Sequence, residues 1–132
     1  MKVYFENEYF VVKYSTATYA LVNKWITNPT SAEFREGMEI LLQAMIHFKT
    51  SKMVSDTTYM GALLPEDQEW AASHWYIRAS KIGFSHNGII IPSDIFTEMS
   101  VQGTLDAIED KVTVTRYFDN LEDAMVWISQ VN

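Results

Sequence analysis

The sequence contains no cysteine, and this absence removes three kinds of chemistry. The chain can form no disulfide, no zinc site with thiolate ligands and no cysteine nucleophile. Absence of disulfides agrees with a reducing compartment, so we expect the protein in the cytoplasm.

Basic residues are scarce as well. Ten lysines and arginines stand against 17 aspartates and glutamates, which gives a net charge of -7. The basic residues are scattered singly, so no basic stripe reverses the negative field of the protein. Nucleic acid and anionic membrane surfaces are therefore poor partners for this chain.

The five glycines occur in none of the patterns that bind phosphate or hold a catalytic serine. The stretch GFSHNG has neither the lysine nor the spacing of a phosphate-binding loop, and it is typical of a turn. No G-x-S-x-G sequence is present to position a serine nucleophile.

Long apolar runs are also missing. Charged residues interrupt the amino-terminal stretch MKVYFENEYFVVKYS, so we expect neither a signal peptide nor a membrane span there. The chain has 132 residues, of which 48% are hydrophobic and 20% are charged. This length and composition predict one globular domain over residues 1–132.

The first part of the sequence alternates as strands do. Val3–Phe5, Phe10–Tyr14 and Tyr19–Trp25 are separated by ENE and STAT, where the chain can reverse, and this predicts an antiparallel meander. Thr30 and Glu33 then form a capping pair before apolar residues at helical spacing. One long amphipathic helix is therefore expected next.

Strands and helices alternate in the rest of the chain. The first expected elements are a strand at KMVSD, a helix from Pro65 to about Ile82 that ends at Gly83, and an interior strand at NGIII that is apolar on both faces. A short helix capped by Ser93, a helical turn over Leu105–Ile108 and a strand at VTVTRYF follow. The last element is a helix capped by Asn120, with Leu121, Ala124, Met125 and Ile128 on one face. This order predicts an α/β fold, a mixed sheet of about six strands packed with about four helices.

Several segments carry a family pattern. They are the long helix leading into a strand that ends in Asp, the helix start PEDQEW, the strand GIIIP and the closing unit YFDNLEDAMVWI. Together they cover nearly the whole chain and resemble the SpoIIAA-like branch of the STAS-like proteins. The resemblance implies a STAS-like sandwich and a non-enzymatic regulatory or protein-interaction module, since STAS domains act mainly by docking to partners.

The resemblance also directs attention to the helix after the Asp-terminated strand. In anti-sigma-factor antagonists of this family, a serine near the start of that helix is phosphorylated as a switch. Here no Ser or Thr occurs from Tyr59 to Ala72, so we expect the switch to be absent. Three carboxylates at the helix start, Glu66, Asp67 and Glu69, would repel a bound phosphate or nucleotide.

Asp56 has two interpretations from the sequence. Ligands collect at the ends of strands in open α/β sheets, so Asp56 could act as a general base or bind a ligand. Alternatively, its carboxylate accepts hydrogen bonds from the turn formed by Thr57 and Thr58. The sequence leaves both interpretations open.

The helix after Pro65 carries two apolar stripes that point in different directions. One contains Trp70, His74 and Ile77, and the other contains Ala72, Trp75, Ala79 and Ile82. Trp70 and Trp75 are about 140° apart on an α-helix, so they are not expected to share a face. One stripe should then face away from the sheet, either as an aromatic pocket or partner surface or packed under a neighbouring loop. We expect Trp75 to lie in a homodimer contact.

The three histidines form no metal-ligand pattern. His47, His74 and His86 show no i, i+3 or i, i+4 spacing, and no H-E-x-x-H sequence is present. They are interpreted as structural, and no metal or cofactor is expected.

The sequence therefore favours a regulatory or protein-interaction module without catalytic activity, which binds a protein partner or associates as a homodimer. The alternative is a carrier or sensor of a small apolar ligand, held where the aromatic residues of the 59–76 region meet the sheet. The candidate binding residues under either hypothesis are Asp56, Thr57, Tyr59, Trp70, His74 and Trp75.

Overall fold

The computed structural model describes residues 1–101, 108–109 and 113–131. The strands are β1 (Lys2–Glu6), β2 (Phe10–Ser15), β3 (Ala20–Trp25), β4 (Lys52–Asp56), β5 (His86–Ile90), β6 (Ile108–Glu109) and β7 (Val114–Phe118). The helices are α1 (Ser31–Phe48), α2 (Pro65–Trp70), α3 (Tyr76–Lys81), α4 (Ser93–Val101) and α5 (Leu121–Ser129), and a π-helical turn, Ala71–Trp75, joins α2 to α3.

All the strands belong to one mixed sheet with the order β1-β2-β3-β4-β5-β7-β6. The first three strands are antiparallel neighbours, as expected from the meander pattern. From β3 through β4 and β5 to β7 the pairing is parallel, and β6 pairs antiparallel with β7. The α/β class is confirmed, and within the described residues the helices form four units if α2, the π turn and α3 count as one.

Helix α1 begins and ends as its sequence predicts. The Thr30 side chain accepts a hydrogen bond from the Glu33 amide, and the Glu33 carboxylate accepts one from the Thr30 amide, which completes a capping box. Gly37 lets the helix lie directly on the sheet, because a Cβ atom there would be 2.5 Å from Cη2 of Trp25. The close approach brings the apolar stripe of α1 into the core.

The sheet has a helical layer on each face, and side chains alternate between them. On one face, residues such as Leu21 and Met53 pack under α1 and the π turn in the larger apolar cluster. On the other face, Val54 and Ile90 pack against Ala124 and other residues of α5 in a smaller cluster. The two clusters make α1 and α5 opposite covers of the same sheet.

Lys52 fastens α5 to the sheet. The residue is 8% exposed, and its ammonium group donates to the backbone carbonyls of Ile128 and Val131, each at 3.1 Å. Burial lowers the pKa of Lys52. A cation at this place is favourable because carbonyl groups at a helix C-terminus carry partial negative charge.

The expected helical turn over Leu105–Ile108 and the expected buried face of the last helix differ in outcome. Residues 105–107 of the expected helical turn are outside the described residues, whereas Ile108 pairs with Thr115 as part of β6. Asn120 caps α5 as expected by accepting from the Asp123 amide at 2.8 Å. Leu121 was expected on the buried face, but as the first residue of α5 it is 44% exposed.

In the described part of the chain, the helices are too short or too polar to cross a lipid bilayer.

Candidate functional site

A cavity of about 470 Å³ lies between the sheet and the helices that cover its α1 face. Strands β3, β4, β5 and β7 contribute to one wall, and α1, the loop after β4 and the α2-to-α3 run contribute to the others. The lining residues that have apolar or aromatic side chains are Trp25, Phe34, Met38, Leu41, Met53, Met60, Leu63, Ala71, Trp75, Tyr76, Ile89 and Tyr117. Both the volume and the apolar character are typical of a small-molecule site.

Helical and strand periodicity together explain why these side chains meet. Phe34, Met38 and Leu41 are spaced so that they lie on one face of α1. Met53 on β4 and Ile89 on β5 point to the same face of the sheet and lie across from that stripe. The cavity is therefore part of the packed layer between α1 and the sheet.

A row of polar side chains crosses the sheet at the cavity. Asn23 Nδ2 donates to Ser55 Oγ at 2.9 Å, and the Ser55 hydroxyl donates to Asn87 Oδ1 at 3.3 Å. Ser55 and Asn87 line the cavity, and all three residues are at least nine-tenths buried. Asn23 Oδ1 accepts no hydrogen bond within the described residues. Buried polar groups are normally paired, so a polar row under an apolar cavity calls for a functional account.

The π-helical turn sets the direction of the side chains on the cavity's outer wall. The Tyr76 amide donates to the Ala71 carbonyl, an i→i+5 hydrogen bond, so residues five apart lie on the same side of this turn. The expected separation of about 140° between Trp70 and Trp75 is therefore wrong, because it assumed a regular α-helix. Both indoles face α1: the Trp70 ring is 6.1 Å from that of Phe34, and Trp75 Nε1 donates to the Met38 carbonyl at 2.6 Å.

Trp75 belongs to the core and not to an interface. Its side chain is 1% exposed, and it packs edge-on against Phe84 while it lines the cavity. The expectation that Trp75 lies in a homodimer contact is wrong, since no part of the indole is left to reach a partner. The exposed residues of the same helical run include His74 and Ile77.

A buried carboxylate holds α2 against α1. Asp67 Oδ1 accepts from the Ser31 hydroxyl at 2.6 Å and from Arg35 Nε at 3.1 Å, and Asp67 is 2% exposed. The Arg35 guanidinium also lies 5.2 Å from the centre of a Trp70 ring. The charge of Asp67, which the sequence suggested would repel anions, is thus used inside the protein to fix the outer wall of the cavity.

The loop between β4 and α2 is held by one amide side chain. Asn28 Nδ2 donates to the carbonyls of Met60 and Ala62, on either side of Gly61, whose φ is +71°. A left-handed backbone at this position suits glycine. Met60 and Leu63 of the same loop line the cavity, so Asn28 positions that wall as well.

Asp56 anchors the turn that follows β4. Its Oδ1 atom accepts from the Thr58 amide at 3.0 Å and from the Thr58 hydroxyl at 2.6 Å. Thr57 was expected to bond to Asp56 too, but its amide and hydroxyl both donate to the Ile90 carbonyl on the neighbouring strand. Asp56 is not among the cavity-lining residues of the described chain, whereas Thr57 is.

We expect Asp56→Ala to lower the free energy of unfolding by about 1 to 2 kcal/mol, because two donors of Thr58 lose their acceptor. Asp56→Asn should cost less, since the amide oxygen still accepts from both groups. Urea denaturation followed by circular dichroism would measure both variants. Unchanged stability in both, together with a loss of ligand or partner binding, would instead assign a functional role to the carboxylate.

The other candidate residues lie outside the cavity. Tyr59 is 62% exposed, with the Lys24 ammonium 5.4 Å from its ring centre. Trp70 is half-buried beside Phe34 but does not line the cavity within the described residues, and His74 is exposed. Of the six candidates, the cavity therefore brings together Thr57 and Trp75.

The histidines are distributed over separate elements. His47 contacts the rings of Tyr4 and Phe48 at the end of α1, and His86 Nδ1 lies 2.9 Å from the Ser85 hydroxyl at the start of β5. His74 is in the π turn. No group of three or more His, Cys, Asp or Glu residues that could hold a metal ion occurs in the described ranges.

Sequence reasoning missed the polar row entirely. The NGIII strand was interpreted as apolar on both faces, yet Asn87 is buried and bonded to Ser55. A usable signal was present in the period-two alternation, because Ser55 shares a strand face with Met53 just as Asn87 does with Ile89. Only the parallel pairing of β4 with β5 reveals that the two polar positions are neighbours.

Comparisons of this chain with models of protein families, with curated proteins and with solved structures gave no match.

Proposed function

We propose that the protein is a non-enzymatic binding module of STAS-like fold that holds a small, largely apolar molecule in the cavity between the sheet and α1. The observation that carries the proposal is the cavity itself, with its volume of about 470 Å³ and its aromatic and methionine lining. Apolar cavities with a few placed polar groups are the usual form of small-molecule sites. A space of this size that is partly open to the surface can admit a small molecule.

The absence of charge in the lining supports binding over catalysis. The cavity walls in the described part of the chain contain no carboxylate, histidine, lysine or arginine. General acid–base and nucleophilic catalysis normally depend on such groups within reach of the bound molecule. The side chains present instead offer apolar surface and neutral hydrogen bonds, which suit a carrier or a sensor.

The regulatory part of the proposal comes from the resemblance to SpoIIAA-like proteins. The lack of Ser and Thr between Tyr59 and Ala72 argues that a bound molecule, and not phosphorylation, would be the signal. A cysteine-free chain favours action in the cytoplasm. A protein partner or a homodimer stays a prediction, with support reduced to the exposed face that includes Ile77, 51% exposed.

The proposed binding site can be tested by a substitution that fills the cavity with a larger side chain. Ala71 lines the cavity and is half-buried, whereas its neighbour Ala72 is exposed on the outside of the same turn. We expect calorimetric titration with 2-isopropenylnaphthalene, a compact hydrocarbon, to show stoichiometric binding to the wild-type protein. Ala71→Phe should weaken that binding at least tenfold, and the matched control Ala72→Phe should leave it unchanged.

Native mass spectrometry of protein purified from its own source gives an independent result. A retained small molecule supports the proposal, and its release should lower the melting temperature, because a ligand that binds only the folded state stabilises it.

For the cavity-blocking experiment, Ala71→Leu provides a smaller added side chain if Ala71→Phe is poorly folded. Equal binding to wild type and to both folded Ala71 variants would rule out this cavity as the site.

A further inference from the structure

The hydrogen bonds of the polar row, Asn23, Ser55 and Asn87, determine the orientation of the Asn87 amide at the cavity. Asn23 donates to Ser55 and Ser55 donates to Asn87, so the hydrogen bonds all run the same way across the sheet. A serine hydroxyl has a single proton, which here is used on Asn87 Oδ1. The Asn87 amide is therefore held with its oxygen towards Ser55, and its Nδ2 group is the end of the row.

Within the described residues no side-chain hydrogen bond from Asn87 Nδ2 is present, and this group is not among the fully buried unpaired atoms, so water in the cavity can reach it. Asn87 is 5% exposed and lines the cavity. A ligand that displaces this water without supplying an acceptor leaves the donor unpaired, so a molecule that carries an acceptor is favoured over one that does not.

The rest of the lining determines the charge and size of the occupant. Because no charged side chain of the described chain lines the cavity, a charged head group would be buried without a counter-charge. Liquid water occupies about 30 Å³ per molecule, so a space of this volume holds on the order of 15 non-hydrogen atoms.

From these observations we infer that the cavity selects an uncharged molecule with an apolar body and one carbonyl-type oxygen, which accepts a hydrogen bond from Asn87 Nδ2. This inference rests on the proposed function and adds the chemistry of the ligand's head group. Ketones, esters and aldehydes of this size fit the description best, pure hydrocarbons should bind more weakly, and carboxylates and amines should bind most weakly.

Three naphthalene probes of equal size separate these possibilities. 2-Acetylnaphthalene carries a ketone, 2-isopropenylnaphthalene replaces its oxygen by a methylene group, and 2-naphthoate carries a carboxylate. The hydrocarbon is the least soluble in water, so the hydrophobic effect alone favours it. We expect the ketone nevertheless to bind about tenfold more tightly than the hydrocarbon, because the hydrocarbon leaves Asn87 unpaired. The carboxylate should bind more weakly than either.

Two variants test whether the preference for the ketone over the hydrocarbon depends on Asn87. Asn87→Leu should reverse the order of the two neutral probes, and Ser55→Ala should reduce the ketone preference by releasing the amide from its orientation. Gln43→Ala, an exposed change on α1, serves as the control and should keep the wild-type order. Circular dichroism establishes that each variant is folded, and Ser55→Ala keeps the test decisive if Asn87→Leu is not.

The outcomes distinguish this inference from the proposed function. If both neutral probes bind wild type equally, or if the ketone preference persists in both folded variants, the inference is overturned while the cavity remains a binding site. Tighter binding of the carboxylate would also overturn it. If none of the probes binds, the proposed function fails together with the inference.

Discussion

Replacing Trp75 with alanine is expected to lower the free energy of unfolding by about 3 to 5 kcal/mol. The indole is 1% exposed and packs against Phe84, so its removal deletes a large apolar contact area from the core. The 2.6 Å hydrogen bond from Trp75 Nε1 to the Met38 carbonyl is lost as well, although that carbonyl keeps its partner within α1. Since small domains are stable by about 5 to 15 kcal/mol, much of the protein's stability depends on this side chain.

Two variants of the same helical run separate these contributions. Trp75→Phe keeps an aromatic ring but removes the N–H donor, so it should cost clearly less than the alanine change. Ile77→Ala changes an exposed side chain and should stay within about 0.5 kcal/mol of wild type. Equilibrium urea unfolding reports all three. The core assignment would be contradicted if Trp75→Ala kept wild-type stability and only converted a dimer to monomers in analytical ultracentrifugation.

Arg35→Met is expected to cost about 3 kcal/mol because it leaves the Asp67 carboxylate inside the protein without its cation. The two side chains differ in exposure, with 43% for Arg35 and 3% for Asp67. Loss of the arginine therefore strands a buried charge, whereas loss of the aspartate charge leaves a guanidinium that water still reaches. Asp67→Asn should for this reason cost less, about 1 to 2 kcal/mol.

A double-mutant cycle tests this asymmetry. Arg35→Met combined with Asp67→Asn should cost hardly more than Asp67→Asn alone, because no buried charge then remains to be stranded. Arg78→Met breaks the ion pair with Glu39, which joins α3 to α1 at the surface, and this matched control should change stability little. Additive effects of Arg35→Met and Asp67→Asn would show that the two groups do not depend on each other.

Local patterns in the sequence were reliable wherever one segment determines its own structure. The capping box of Thr30 and Glu33 predicted the start of α1, and the hydrogen bonds from Thr58 to Asp56 follow from two residues of separation. The antiparallel meander followed from alternation and turns. In each case the interacting groups are close in sequence, so the pattern contains the geometry.

From the sequence, only the approximate region of the cavity could be predicted, and not the directions of the side chains that line it. Aromatic residues of the 59–76 segment were expected to meet the sheet, and Trp75 does so, but its direction required knowledge of the π turn. No residue type in AASHW signals an i→i+5 hydrogen bond. Likewise, Arg35 with Asp67 and Ser55 with Asn87 are each 32 residues apart, and only the fold brings them together.

The π turn also marks a place where the length of the chain can change. Trp70 and Trp75 lie on the same side of this turn although five positions separate them. In an ordinary α-helix, residues four positions apart share a side, so a chain lacking one residue here would keep both indoles on α1. Ala72, Ser73 and His74 are all exposed and therefore provide a residue to omit. Elsewhere in a helix a single deletion turns every later side chain by about 100°. In this protein, a one-residue deletion within the turn should preserve the core, and relatives one residue shorter at this point are to be expected.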